Sequence, residues 1–269
     1  MDIIKSVILG LVQGLSEFLP ISSSGHLVIF SEILNFKESG IAFEVFLHFG
    51  TLLSIFVAFR KELIKMINAP FAVWIRKSED PELNEYLRWD LFIILATLPA
   101  AIVGLTFKDQ IEAIFSDVLL TYSMLAITGL IMTISPLLKN RGAPFTIVNT
   151  FIIGCAQAFA ILPGISRSGS TIFAGLIQGI DREKVAPFSF IMSIPAVLGA
   201  VILKTKDLLD TGIDSAGLLN YTAGTIVAFI SGYLAIIWLL DIVKKGKLQW
   251  FGYYCFLVSV TGIIWYFTH

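Results

Sequence analysis

A polar stretch late in this apolar chain holds the residue most suited to binding an anion. It reads Pro163-Gly-Ile-Ser-Arg-Ser-Gly-Ser-Thr171. Pro163-Gly164 ends the preceding helix, and the hydroxyls that follow are typical of the cap and first turn of a new one. Arg167 then lies beside free backbone N–H groups, an arrangement that suits phosphate. The stretch predicts a phosphate cradle made of Arg167, Gly164, Ser166, Ser168 and Thr171.

An earlier polar stretch supplies candidates for acid–base chemistry. It reads Gln13-Gly-Leu-Ser-Glu-Phe-Leu-Pro-Ile-Ser-Ser-Ser-Gly-His26. If the chain folds back at Pro20, Glu17 can hold one nitrogen of the His26 ring while the other nitrogen faces substrate. A His held in this way can act as an acid, a base or a nucleophile. The alternative is a structural Glu17–His26 pair that bridges two half-helices.

Hydroxyl and amide side chains accompany that pair. Ser23 is either the attacking nucleophile or a hydrogen-bond donor to phosphate, and Gln13 can orient its neighbours but cannot ionise. We expect Ser22 and Ser24 to contact substrate as well. These residues extend the predicted site across the whole of the earlier stretch.

Glu44 and His48 form a second ionisable pair, four residues apart on one face of a predicted helix. One interpretation places them in the site. The other makes them an interhelical pair near the membrane surface. The sequence supports both interpretations equally.

The composition decides the class of protein. Hydrophobic residues make up 56% of the chain and charged residues 14%, and the mean hydropathy is +0.84. These values indicate an integral membrane protein. The net charge of −1 argues against a nucleic-acid partner. Within a membrane an unpartnered Arg is costly and usually functional, which favours the cradle over a loop whose hydroxyls only satisfy backbone groups.

Apolar runs of two lengths surround the polar stretches. Residues 1–36 contain two short pieces, of which the second is too short to cross a hydrocarbon core of about 30 Å, so we predict a re-entrant hairpin. Six longer runs predict transmembrane spans at residues 41–59, 91–107, 118–138, 185–203, 218–240 and 248–267. Residues 60–88 have the pattern of a helix lying on the bilayer surface. The aromatic residues near the C-terminus predict interface belts: Trp250, Tyr253, Tyr254, Trp265 and Tyr266.

The opening pattern returns 144 residues later, with six identities in sixteen positions. We interpret residues 1–140 and 145–269 as internal repeats within one membrane domain, 1–269. Each repeat has a re-entrant hairpin and three spans, and because three is odd the second repeat is inverted. The predicted fold is therefore an all-α polytopic membrane protein with two inverted-topology repeats.

The distribution of Lys and Arg predicts the orientation. One face of this topology collects thirteen of them and the other face five. The positive-inside rule places the thirteen in the cytoplasm and both termini outside.

The two polar stretches together resemble the signature motifs of the undecaprenyl-diphosphate phosphatase family, also called the bacitracin-resistance protein family. The resemblance covers essentially the whole chain. It implies a bacterial inner-membrane enzyme that hydrolyses undecaprenyl diphosphate to the monophosphate, recycles the lipid carrier of peptidoglycan synthesis and confers bacitracin resistance. It also implies that Glu17 and His26 are catalytic, that Arg167 binds the diphosphate, and that Ser23, Ser166 and Thr171 line a pocket that opens to the periplasmic side.

The resemblance also brings an expected cofactor and expected partners. Where the family motif may carry Glu, this chain has Gln13, which removes one possible metal ligand. A Mg²⁺ or Ca²⁺ held mainly by substrate phosphates, with Glu17 as one ligand, is then expected. Membrane lipids are expected partners, and a homodimer is one possible assembly.

Three alternatives compete with this hypothesis. Inverted repeats with broken helices are widespread among secondary transporters and would also suit a lipid flippase. An acid phosphatase of the PAP2 type needs a second His downstream of the Arg, and none occurs between Arg167 and His269. A non-catalytic membrane scaffold would leave Glu17, His26 and Arg167 without a role.

Overall fold

The computed structural model describes residues 3–34, 41–115, 117–211 and 217–268, and these are almost entirely helical. The helices are α1 (Ile3–Phe18), α2 (Ser23–Ile33), α3 (Ile41–Ala58), α4 (Arg60–Pro70), α5 (Pro81–Thr106), α6 (Lys108–Phe115), α7 (Val118–Ile134), α8 (Ile147–Phe159), α9 (Arg167–Ile177), α10 (Arg182–Thr211), α11 (Leu218–Lys244) and α12 (Gln249–Thr268). The predicted all-α fold is confirmed.

Five of these helices are long and apolar enough to cross a bilayer in the part of the chain that is described: α5, α7, α10, α11 and α12. A sixth span arises if α3 is counted with its continuation through Arg60–Ile75, which bends away from it by 76°. The protein is thus a polytopic membrane protein, and single helices form five of the six predicted spans.

Two boundaries differ from the prediction. Helix α4 continues through a π-helical turn, Phe71–Ile75, and the next helix begins at Pro81 rather than at residue 91. Asp80 caps α5 by accepting a hydrogen bond from the Glu82 N–H at 2.9 Å, and Pro81 fits the first helical position, so the polar residues up to Arg88 belong to the same helix as the predicted span. The short helix α6 was not predicted. The last residues of the first predicted hairpin, 35 and 36, lie outside the described residues.

Helix α1 packs closely along α11 through small residues. A Cβ at Gly10 would lie 2.5 Å from the Gly224 carbonyl oxygen, and one at Gly14 would lie 2.5 Å from that of Ala228. The two helices therefore run in the same direction, because these positions rise together along both. The approach is closer than any side chain would allow.

Helix α8 packs along α5 in the same manner. A Cβ at Gly154 would lie 2.5 Å from the Ala96 carbonyl oxygen, and one at Gly104 of α5 would lie 4.0 Å from the side chain of Ile161, just past the end of α8. Gly10 and Gly154 are a matched pair of the predicted repeat. Each hairpin therefore lies against a helix of the other half of the chain.

Ion pairs show which helix ends lie together. Lys184 at the start of α10 lies 2.6 Å from Glu85 at the start of α5, and Glu183 lies 2.8 Å from Lys244 at the end of α11. Helices α5 and α11 therefore run in opposite directions, and α1 and α8 enter the bundle from opposite ends. The inverted repeat itself stays a prediction.

The largest cluster of buried apolar side chains draws on both halves of the chain. It includes Phe18 of α1, Ile55 of α3, Ile153 of α8 and Phe190 of α10. The rings of Phe18 and Phe190 meet edge to face at 5.7 Å. The cluster also contains Ile21 and Ile172, so residues of both hairpins share one packed core.

Candidate active site

The second hairpin consists of α8 and α9, and a serine caps the start of α9. The Ser166 hydroxyl accepts from the Gly169 N–H at 3.1 Å and lies 3.3 Å from the Ser168 hydroxyl. This is the predicted helix start. The cap places Arg167 at the first position of α9, where the backbone N–H groups have no partner within the helix.

The turn before this cap is held by α7. The Thr128 hydroxyl donates to the Gly164 carbonyl at 2.8 Å and accepts from the Ser166 N–H at 3.0 Å. Gly164 has φ of +90°, which an L-residue rarely adopts, and a Cβ there would collide with α7. The predicted role of Gly164 in the cradle therefore includes allowing this turn.

The first hairpin repeats the cap with one difference. The Ser22 hydroxyl accepts from the Gly25 N–H at 3.3 Å and lies 3.3 Å from the Ser24 hydroxyl. Ser22 itself has φ of +70°, in the left-handed region, and such backbone strain concentrates at functional sites. This turn directs Ser23 back toward α1.

The two hairpins meet in an ion pair. Nη2 of Arg167 donates to Oε1 of Glu17 at 2.6 Å, and the Ser23 hydroxyl donates to Oε2 of Glu17 at 2.7 Å. The Glu17 and Arg167 side chains are only 7% and 15% exposed. A carboxylate at hydrogen-bond distance from a hydroxyl can take its proton, and the guanidinium keeps that carboxylate in place.

Arg167 keeps one end of its guanidinium unused by the protein. Its Nη1 is buried and has no hydrogen-bond partner among the described residues. A buried charged donor without a partner is costly, and a phosphate oxygen is the acceptor that best matches a guanidinium. The arrangement can hold a phosphoryl group between Arg167 and Ser23.

His26 does not pair with Glu17 as predicted. Its Nδ1 lies 2.8 Å from the Ser22 carbonyl and its Nε2 lies 2.7 Å from the Tyr254 hydroxyl. A carbonyl can only accept, so Nδ1 carries the proton and Nε2 of the neutral ring accepts from Tyr254. The difference arises because α2 begins at Ser23, which places that hydroxyl next to Glu17 and turns His26 toward α12.

Thr171, a predicted contact for substrate, has a packing position in this structure. Its hydroxyl lies 2.5 Å from the Ser189 hydroxyl and donates to the Arg167 carbonyl at 2.8 Å. Thr171 is fully buried and joins α9 to α10. It therefore supports the turn of helix that presents Arg167.

Known proteins resemble this chain in sequence over nearly its whole length. Residues 6–261 match the family described as "Bacitracin resistance protein BacA". The chain belongs to this family. A protein of Halothermothrix orenii is 41% identical over 98% of both chains, and one of Methanobrevibacter smithii is 42% identical over 100% of this chain and 99% of its own. A third, from Bacteroides fragilis, is 41% identical over 98% of both chains, and all three are called undecaprenyl-diphosphatase.

Some residues of this BacA-family site escaped the sequence analysis. Tyr254 was predicted to lie in an interface belt, yet it is the partner of His26, and the two rings stack at 5.5 Å. Thr128 lies within an apolar span, and no sequence motif marks it as a residue of the site. The sequence analysis named His48 but left open whether it belongs to the site. Its Nδ1 lies 3.1 Å from Nε2 of Gln13. The four-residue spacing from Glu44 was the only available hint.

The side chains around Glu17 do not fit a divalent cation held by the chain alone. Oε1 of Glu17 accepts from Arg167, and Oε2 accepts from Ser23 and from Gln13 at 3.0 Å. Within the described ranges, no group of three or more His, Cys, Asp or Glu residues could hold a metal ion. The Arg167 guanidinium supplies the positive charge next to this carboxylate.

Proposed function

We propose that this protein hydrolyses undecaprenyl diphosphate to undecaprenyl phosphate and inorganic phosphate. Hydrolysis would recycle the lipid carrier of peptidoglycan synthesis and confer resistance to bacitracin. The observation that carries the proposal is the Glu17–Arg167 pair, which leaves Nη1 of Arg167 buried without a partner beside a Ser23 hydroxyl that donates to Glu17. The names of the similar proteins agree with this activity.

In the proposed reaction the Ser23 oxygen bonds to the terminal phosphorus. The bond from that phosphorus to the bridging oxygen breaks, and its electron pair leaves with undecaprenyl phosphate. The Ser23 proton passes to Glu17, 2.7 Å away. Nη1 of Arg167 and the N–H groups of the first turn of α9 stabilise the charge on the transferred group.

Water then releases the phosphoryl group. The water oxygen bonds to phosphorus, the Ser23 oxygen leaves, and one proton of the water restores the Ser23 hydroxyl. Inorganic phosphate keeps the other hydrogen, and Glu17 releases to solvent the proton taken in the first step. His26 is the acid–base group nearest to Ser23 along α2 and contacts the leaving oxygen once Nε2 separates from Tyr254.

The membrane setting completes the proposal. The prenyl chain lies among the spans, and the diphosphate reaches the site from the periplasmic side of a bacterial inner membrane, with the Lys- and Arg-rich face in the cytoplasm. Any Mg²⁺ or Ca²⁺ is held by phosphate oxygens of the substrate. A homodimer and bound membrane lipids are the proposed partners.

The test uses purified protein in detergent with undecaprenyl diphosphate. Release of inorganic phosphate without a sealed compartment supports hydrolysis, whereas a flippase or transporter would give none. Ser23→Ala should abolish phosphate release, while Ser123→Ala, an exposed serine that bonds its own helix, should retain it. With substrate labelled in the terminal phosphate, radioactivity on the denatured protein supports the Ser23 intermediate. Its absence under a rapid quench would indicate direct attack by water.

A further inference from the structure

Helix α3 brings an imidazole to the far side of Glu17. Nε2 of Gln13 lies 3.0 Å from Oε2 of Glu17 and 3.1 Å from Nδ1 of His48. Gln13 is fully buried. The carboxamide nitrogen has two hydrogens, and each points at one of these acceptors.

The orientation of the Gln13 carboxamide follows from chemistry. The reverse orientation would place its carbonyl oxygen 3.0 Å from a carboxylate oxygen, and two acceptors would then face each other. With the nitrogen in that place, Nδ1 of His48 must accept, so it carries no proton. His48 is therefore the tautomer opposite to that of His26, whose Nδ1 donates to Ser22.

We propose that His48 is a positioning residue of the active site that acts on Glu17 through Gln13. The inference rests on the proposed phosphatase function. By accepting the second hydrogen of the carboxamide, His48 keeps the first directed at Oε2, the oxygen that also accepts from Ser23. Without His48 the second hydrogen of the buried carboxamide has no acceptor, so the carboxamide can rotate to find another one, which would weaken its bond to Oε2 and let the carboxylate shift away from the Ser23 hydroxyl.

The position of His48 is itself fixed by α11. On one side of it the Thr225 hydroxyl donates to the Phe46 carbonyl at 3.0 Å, and on the other the Ser54 hydroxyl donates to the Phe229 carbonyl at 2.7 Å. These side chain to backbone bonds anchor α3 both before and after His48. The imidazole is thus presented by a rigid part of the bundle, as a positioning residue requires.

The first test compares two substitutions of His48 by the kcat and KM of phosphate release. We expect His48→Leu to lower kcat by about tenfold or more with KM nearly unchanged, because Glu17 loses its orientation and no substrate contact is lost. His48→Gln can still offer an acceptor and should recover most of the rate. Phe49→Leu, at a neighbouring position that is 46% exposed, is the matched control and should behave as wild type.

A double-mutant cycle tests whether His48 acts through Gln13. In a Gln13→Leu background, His48→Leu should cost no further activity, since the carboxamide it orients is gone. Full additivity of the two losses would overturn the proposal. So would equal damage by His48→Leu and His48→Gln.

A readout independent of turnover separates this inference from the proposed function. The chain has three His residues, so nitrogen NMR of protein labelled with ¹⁵N-histidine in lipid nanodiscs gives a simple spectrum. We expect one ring with a protonated Nδ1, assigned to His26, and one with an unprotonated Nδ1 that is lost in His48→Gln. A proton on Nδ1 of His48 would overturn the proposal even if the enzyme is active. Lack of phosphate release by wild type, with the expected tautomer present, would contradict the phosphatase function alone.

Discussion

The two hairpins share a framework and differ in what they add to it. In each hairpin, a serine caps the second helix, and its hydroxyl lies 3.3 Å from the hydroxyl of a serine two residues later. In the first hairpin the residue between these serines is Ser23, and in the second it is Arg167. The same turn therefore presents a hydroxyl on one side of the site and a guanidinium on the other.

The hairpins also differ in how firmly they are held. The first turns of α9 are buried and bonded to α7 through Thr128 and to α10 through Thr171. In α2, Ser23 and Ser24 are only half-buried. The difference indicates that the second hairpin is the more firmly held of the two.

Glu17→Gln should have the largest effect, because it removes the carboxylate that accepts from the Ser23 hydroxyl and keeps the size of the side chain. We expect turnover to fall by about 10²–10⁴-fold. Arg167 would simultaneously lose the carboxylate that lies 2.6 Å away, so inorganic phosphate should inhibit at lower concentration than in wild type. Initial rates and phosphate inhibition constants measure both effects. Loss of activity with weaker phosphate inhibition would contradict the assignment of Glu17 as the base and Arg167 as the residue that holds phosphate.

Arg167→Lys tests the second hairpin with its charge retained. An ammonium cannot contact Glu17 and a phosphoryl oxygen with the fixed fork of a guanidinium. Turnover should fall by about 10²–10³-fold, comparable to the loss of a transition-state donor. Arg182→Lys is the matched control, because Arg182 bonds the backbone carbonyl of Leu138 at 2.9 Å, at the start of α10. Turnover of Arg167→Lys within about twofold of wild type would remove Arg167 from the assigned role.

Tyr254→Phe should have a smaller effect, limited to the first hairpin. The ring stack on His26 remains, while Nε2 loses its donor at 2.7 Å. We expect a change in kcat of about three- to tenfold, the range for one lost hydrogen bond. Tyr253→Phe controls for the neighbouring position, which is 52% exposed. An unchanged rate would show that the contact with His26 has no part in turnover.

Thr128→Val should act mainly on stability. The Gly164 carbonyl and the Ser166 N–H both lose their partner in a buried turn, at a cost of about 1–3 kcal/mol. Thermal unfolding in detergent should show a lower midpoint than Ser123→Ala on the same helix, with turnover reduced only a few-fold. A stable variant with a large loss of turnover would mean that Thr128 belongs to the chemistry and not to the contacts that hold the second hairpin.

The sequence predicted the local features of this site well and its long-range contacts poorly. The caps, the hairpin turns and the positions of Glu17, Ser23 and Arg167 follow from neighbouring residues. The partner of His26 is 228 positions away, and no periodicity links it to Tyr254. The early start of α5 could have been predicted, because Asp80-Pro81-Glu82 is a helix-start signal. The charged residues around it led instead to the prediction of a surface helix.

The crossed packing of the hairpins ties the two halves into one unit. Helix α1 needs α11 beside Gly10, and α8 needs α5 beside Gly154. If the gene were severed between α7 and α8, each fragment would carry a hairpin whose docking groove belongs to the other fragment. Activity would return only when both fragments insert into the same bilayer. An ancestral protein of half this length could therefore have been active only as a dimer.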